Sequence, residues 1–199
     1  LHPDDRERVR LAMNRAQASG GPFAEDYRVL LADGTVRWIS ARGSMEMNEG
    51  HGPLRMRGVS MDNTEWKQAE EQSKQVVEAA PYAMIMVDAA AGIVLANRQA
   101  EITFGYGREE MLGRPIELLI PQRFRGHHPA LHQGFFHNPS ARAMGAGREL
   151  FGLRKDGTEL PIEVGLNPIH TSSGTFVLAS IIDITERRRI ERESLEQRD

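Results

Sequence analysis

The chain has 199 residues, enough for one or two domains at the usual size of about 100–150 residues. With 40% hydrophobic and 27% charged residues it is an ordinary globular chain, and a net charge of −3 argues against nucleic acid, which would need a basic stripe. The count of Cys 0 rules out disulfides, thiolate metal sites and cysteine nucleophiles, and fits a reducing, cytoplasmic compartment.

No apolar run approaches the ~18 residues of a membrane span and no signal peptide is visible, so direct membrane contact is not expected. Leu1 falls inside what reads as a helix start, as in a segment cut from a longer protein. A membrane anchor elsewhere in such a parent stays open.

The first element is a helix opened by "HPDD", where Pro3 suits the first turn and Asp4 and Asp5 favour its positive end. Val9, Leu11, Met13 and Ala16 make a moderate stripe, and "SGGP" ends the helix. Strands at about 24–32, 35–45 and 53–61 follow, with turns at Asp33-Gly34 and Asn48–Gly52. Such a meander is too small to bury a core alone, and would expose Val29, Leu31, Val36 and Trp38. Residues 64–80 read as a bridging helix with Trp66, Ala69, Ser73 and Val76 or Val77 on one stripe, stopped by Pro81.

A fuller unit follows. "YAMIMVDA" and "GIVLANRQ" are apolar runs joined by a turn around Ala90–Gly92, a hairpin pattern. Short helical pieces come next, punctuated by Gly105, Gly107, Gly113 and Pro115, and "HPALHQGFF" reads as one more short helix. Three strands at about 145–155, 158–169 and 174–183 lead into a charged helix from about 184. Its interleaved "ERRRIERE" reads as a solvated helix face.

The chain repeats itself. "RVLLADGTVRWISA" at 28–41 and "RKDGTELPIEVGLNPI" at 154–169 share one plan, and "MDNTEWKQAEE" and "IDITERRRIER" close the two copies alike. The division that follows is 1–63 as the back part of a first unit, 64–80 as a connecting helix, 81–183 as a complete unit and 184–199 as an exit helix.

These words in this order resemble the PAS sensor family. "AAP" before the first strand, Asn97 closing the second and "FGYGREEMLGR" in the crossover look like its front half, and the match covers about 76–192. Residues 1–71 look like the tail of another copy, with "DNTEW" where the family usually has Asp-Ile-Thr-Glu-Arg. The resemblance implies an α+β fold: a five-stranded antiparallel sheet with helices on one face, an apolar pocket between them, and a terminal helix as exit. At that exit Thr185 would cap the helix and Asp183 would hold the junction.

In function the resemblance implies a sensory input module that binds a small ligand or cofactor. It would signal through its helices to an output domain outside this chain, such as a histidine kinase or nucleotide cyclase, and would form a homodimer. The alternative is a ligand-free dimerisation scaffold. No Ser-His-Asp order, P-loop or dinucleotide fingerprint occurs, so no enzyme is expected within the chain.

In FixL-type oxygen-sensing members of the family, a histidine on the short helix ligates haem iron and an arginine on the following strand faces the gas. The ungapped match back from "RKDG" sets His128 at the ligand position and Arg148 at the arginine position. The implied pocket wall is Leu131, Ala146, Leu150, Val164, Leu166 and Ala179. Pro129 disfavours helical geometry at His128, which leaves a capping role open there and makes His132 the alternative ligand. Haem b is the candidate cofactor and flavin a lesser one because its photoreactive subclass needs a cysteine, while a pocket that is empty or holds an unidentified ligand stands ahead of both.

Overall fold

The computed structural model describes residues 1–46, 55–144 and 149–196. Its contacts divide the chain into two units, Leu1–Lys74 and Gln75–Asp199.

In the first unit a 3-10 turn, Pro3–Asp5, leads into α1 (Arg6–Ser19). Gly20 ends α1 at φ 63, a left-handed conformation that glycine adopts without a β-carbon clash. Strands β1 (Pro22–Leu30), β2 (Val36–Glu46) and β3 (Arg55–Asp62) form an antiparallel sheet in that order. The first turn is as expected: Asp33 accepts from Thr35 N and Gly34 takes φ 83. The Asn48–Gly52 turn lies outside the described residues. Val9, Ala12 and Ala16 of α1 pack on Phe23, Ala41 and Met45 to make a small core. Gly43 faces Gly58 across β2 and β3, and a β-carbon on Gly43 would stand 2.8 Å from Arg57 O, so the close approach needs glycine.

The exposed apolar surface is not where the pattern suggested. Leu31 is exposed, but Val29, Val36 and Trp38 are half-buried. The Trp38 ring has Arg28 Cζ at 5.7 Å and Lys67 Nζ at 5.8 Å, two cations that cover it. Val59 at 72% and Met61 at 68% exposure carry the open surface instead, on β3. Arg28 is itself held by buried Asp5, whose Oδ1 and Oδ2 each accept from its guanidinium at 2.9 Å. Those bonds keep the Asp5 carboxyl well below the usual carboxylate range, against its burial.

Helix α2 (Thr64–Glu78) buries none of its residues, and Trp66 and Val76 are 61% and 68% exposed. Its apolar stripe is exposed, with Lys67 Nζ 4.8 Å from the Trp66 ring centre.

The second unit contains β4 (Ala83–Val87), β5 (Ile93–Ala96), β6 (Arg142–Ala143), β7 (Leu150–Leu153), β8 (Glu159–Thr171) and β9 (Gly174–Asp183). Every pairing is antiparallel, in the order β5-β4-β9-β8, with β6 and β7 both on the far edge of β8. The five expected strand positions are therefore present; of the outermost, expected over 145–155, the described residues show β6 and β7, and 145–148 lie outside them. Between the front hairpin and β6 run α3 (Arg98–Phe104), α4 (Arg108–Met111), a 3-10 turn Ile116–Leu119, α5 (Gln122–Arg125) and α6 (His128–His137). The exit helix is α7 (Thr185–Glu196).

Period-two alternation sends Ala83, Ile85 and Val87 of β4 and Val177, Ala179 and Ile181 of β9 to one face. There they meet Ala100 and Phe104 of α3, Met111 of α4, Leu119 of the 3-10 turn and Phe135 of α6 in one core. Two polar residues hold its front. Asn97, 0% exposed, accepts at Oδ1 from Met84 N and Ala100 N and donates from Nδ2 to Val77 O and Tyr82 O. Asp88 accepts from Ala90 N and Gly92 N and closes the β4–β5 turn, where Ala91 takes φ 65.

Candidate ligand site and signalling junction

His128 is the first residue of α6 and the cap is His127, so His128 does not cap the helix. The amide that Pro129 lacks is one that a helix start leaves unpaired anyway, which is why the helix tolerates it. His128 Nδ1 stands 2.8 Å from Glu117 Oε1. One turn on, the His132 ring lies 6.3 Å from that of His128 and 4.7 Å from that of Phe136, centre to centre. His132 Nε2 is a buried nitrogen with no hydrogen-bond partner. Burial first, then the nearby His128, push the His132 pKa below its ordinary value, against the Asp88 backbone and the Glu117 and Asp88 carboxylates.

The strand residues expected to wall the site do come together. Val164 and Ala179 are buried in the core, Leu150 and Leu166 pack against it, and Leu166 pairs with Ala179 across β8 and β9. Leu131 does not join them. It is 59% exposed, because α6 reaches the core only through its second half, where Phe135 is 3% exposed and Phe136 is partly buried. Ala146 and Arg148 lie outside the described residues.

Against haem, the donor chemistry fits. Two imidazoles lie one turn apart on α6, one of them with an orphaned buried nitrogen. Glu117 on Nδ1 is the kind of partner that orients a ligating histidine through its other nitrogen. Among the described residues no group of three or more His, Asp or Glu could hold a bare metal ion.

The junction differs from expectation in one respect. Asp183 is the acceptor: its Oδ1 takes the Thr185 amide at 2.9 Å and the Thr185 hydroxyl at 2.6 Å, so Thr185 donates rather than caps. An aspartate two residues before the threonine reaches both donors in one turn. Asp183 Oδ2 accepts from Arg154 Nη2 at 2.9 Å, and Arg154 Nε donates to Thr103 O, at the end of α3, at 3.0 Å. Sequence reasoning missed Arg154; its signal was a lone arginine just ahead of the Asp156-Gly157 turn. The first unit repeats the device: Asp62 Oδ1 takes Thr64 N and Oγ1, and Oδ2 takes Arg37 Nη1 at 2.7 Å. The Thr64 hydroxyl, then Arg37, hold the Asp62 carboxyl down to about 2.

Comparison with known proteins agrees with this architecture. A family profile described as the PAS fold matches residues 71–184, and a second of the same description matches residues 1–60. The chain is 28% identical to "Sensor protein FixL" of Bradyrhizobium diazoefficiens over 196 residues, 95% of this chain and 39% of that protein. It is 26% identical to "Probable diguanylate cyclase DgcE" of Escherichia coli over 96% of this chain and 18% of that protein. "Oxygen sensor protein DosP" of the same organism is 32% identical over 91 residues, 46% of this chain and 11% of that protein. The chain thus spans well under half the length of these relatives. The PAS domain of an HTR-like protein from Haloarcula marismortui superposes with a TM-score of 0.53 at 22% identity, over 60% of this chain and 95% of that one. A PAS domain from Colwellia psychrerythraea gives 0.52 at 22% identity, over 59% and 98%.

Proposed function

The chain belongs to the PAS family, and from that premise we propose that it is the sensory input region of a larger signalling protein. Its complete unit receives a small ligand against α6 and reports the bound state to an output domain through α7. Homodimerisation through the uncovered stripe of α2 accompanies this role.

The observation that carries the proposal is the position of Arg154. One guanidinium bonds to the end of α3, a helix of the ligand-facing layer, and to the aspartate that starts the exit helix. A shift of the helical layer therefore pulls on a charge-assisted bond at the root of α7. The element that shifts is α6, which buries Phe135 alone and so opens at little cost in apolar contact.

Haem is the ligand whose chemistry the donors match, with His128 as the iron-binding residue and His132 as its neighbour. Two relatives named as sensors, one of them for oxygen, support this reading. A bound haem would supply an iron with a position open to a diatomic gas. What this chain would contribute is the His128 imidazole, the Glu117 carboxylate beside its Nδ1, and the apolar residues of β8 and β9. Phe135 shares the core with Val164 and Ala179, so loading moves α6 outward.

The test is an absorbance spectrum from the near-ultraviolet to the red, on freshly purified protein and after haem reconstitution. A Soret band that disappears in His128→Ala, with helix content intact, is the expected result. A band retained in that variant and lost in His132→Ala moves the ligand one turn. A colourless protein after reconstitution defeats the haem reading.

A further inference from the structure

Residues 122–134 carry both histidines of the candidate site, and none of them is buried. Pro121 before them is fully buried, and Phe135 after them is 3% exposed. The stretch, α5 and the first two turns of α6, is thus fixed at its two ends and has no buried anchor between them. A helical segment with so little buried surface opens at a low free energy, and polar and ring contacts must hold it in place.

Most of those contacts are local. Arg125 Nε donates to Ile120 O at 2.8 Å, and His128 Nδ1 meets Glu117, both partners lying just ahead of the segment. His132 reaches the backbone of Asp88, in the turn after β4. Arg123 reaches further. It pairs with Glu159 Oε1 at the start of β8, 36 residues on. Its Cζ also stands 5.4 Å from the ring centre of Phe151 on β7 and 4.5 Å from that of Phe124 beside it. Among the described residues, Arg123 is the one side chain of the segment whose bonds and ring contacts extend to β7 and β8.

The Arg123 and Glu159 side chains are 50% and 34% exposed, so the pair adds little to the stability of the whole unit. Against a segment with no buried residue, the same small contribution is a large part of what resists opening. The cation beside the Phe151 ring adds to it. Opening matters because the core is filled. Phe135 shares one apolar cluster with Val164 and Ala179, so a flat apolar ring system enters between α6 and the sheet only as Phe135 withdraws. Residues 122–134 run directly into Phe135 and must move with it.

We propose that Arg123 is the gate of the candidate ligand site: its grip on Glu159 and Phe151 holds residues 122–134 closed, and its release lets a flat apolar ligand exchange with Phe135. The nature of the ligand rests on the reading above; the closure does not.

The experiment compares the wild type with Arg123→Ala and Glu159→Gln in the whole chain. Amide exchange is followed by NMR without ligand at Leu131 and Phe135, and at Val177 and Ile181 as strand references. Exchange at the first two should quicken by about tenfold in Arg123→Ala and severalfold in Glu159→Gln, with the references unchanged. Hemin association, timed at the Soret band, should quicken by the same factors, because opening precedes entry. Unchanged exchange at Leu131 and Phe135 in both variants overturns the proposal. So does equal acceleration at the strand references, which would make Arg123 a general stabiliser, and so does faster exchange with unchanged hemin association. A wild type that gives no Soret band removes haem as the ligand and leaves the exchange to decide the closure.

Discussion

Arg154 Nη2 stands 2.9 Å from Asp183 Oδ2, and through that bond the end of α3 is tied to the start of α7. Both side chains are partly exposed, so the pair contributes modestly to stability, about 0.5–1.5 kcal/mol. Its effect on the junction should be larger than its effect on folding. Arg154→Ala should leave the unfolding midpoint little changed while the amides in the first turn of α7 exchange severalfold faster. Equal exchange in the variant and the wild type would show that the exit helix does not depend on this bond.

Asn97 should behave oppositely. It is fully buried and satisfies four backbone groups, joining the end of α2, the start of β4 and the cap of α3. Asn97→Ala leaves those groups unpaired in a dry site and should destabilise the second unit by about 2–4 kcal/mol. Chemical denaturation measures it. A loss below about 0.5 kcal/mol would mean that water replaces the side chain without penalty.

His132 predicts a pH dependence. Its folded pKa lies below the ordinary histidine value, so protonation favours the unfolded chain. The contribution is complete above about pH 6.5, the unfolded value, and is lost as pH falls from there through the folded pKa. Between pH 7 and 5 the wild type should therefore lose more stability than His132→Phe, which keeps the ring contact with Phe136. Parallel pH profiles for the two proteins would assign the effect elsewhere.

Assembly is tested at Trp66. α2 buries none of its residues, and isolated helices of this length are marginal in water, so a second chain is the expected cover for its stripe. Sedimentation equilibrium should show a dimer at tens of micromolar and a shift toward monomer in Trp66→Glu, because a buried unpaired carboxylate opposes association. A monomeric wild type at that concentration would contradict the proposal.

Much of the fold could be read from local pattern. The Asp-Gly turns at 33–34 and 156–157, the alternation in β8 and the repeated aspartate–threonine endings each depend on residues close in sequence. What could not be read depends on distant partners. Thr103 and Arg154 are 51 residues apart, and nothing in either segment marks the other. Leu131 shows the same limit from another side. Helical spacing places it one turn before buried Phe135, yet where a helix leaves its core is set by packing. Of the candidate site, the burial of Val164 and Ala179 agrees with the alternation of β8 and β9, but their place in a pocket wall came only from the family resemblance, and the Glu117 contact to His128 was not legible at all.

The account rests on a coupling between α6 and α7, and amide exchange at Arg188 reads it most directly. That amide donates to Ile184 O in the first turn of α7, at 3.0 Å. Exchange is compared with and without reconstituted haem, in the wild type and in Arg154→Ala. The account predicts a severalfold change on loading in the wild type and none in the variant. A Soret band accompanied by identical Arg188 exchange in loaded and unloaded wild type would contradict it.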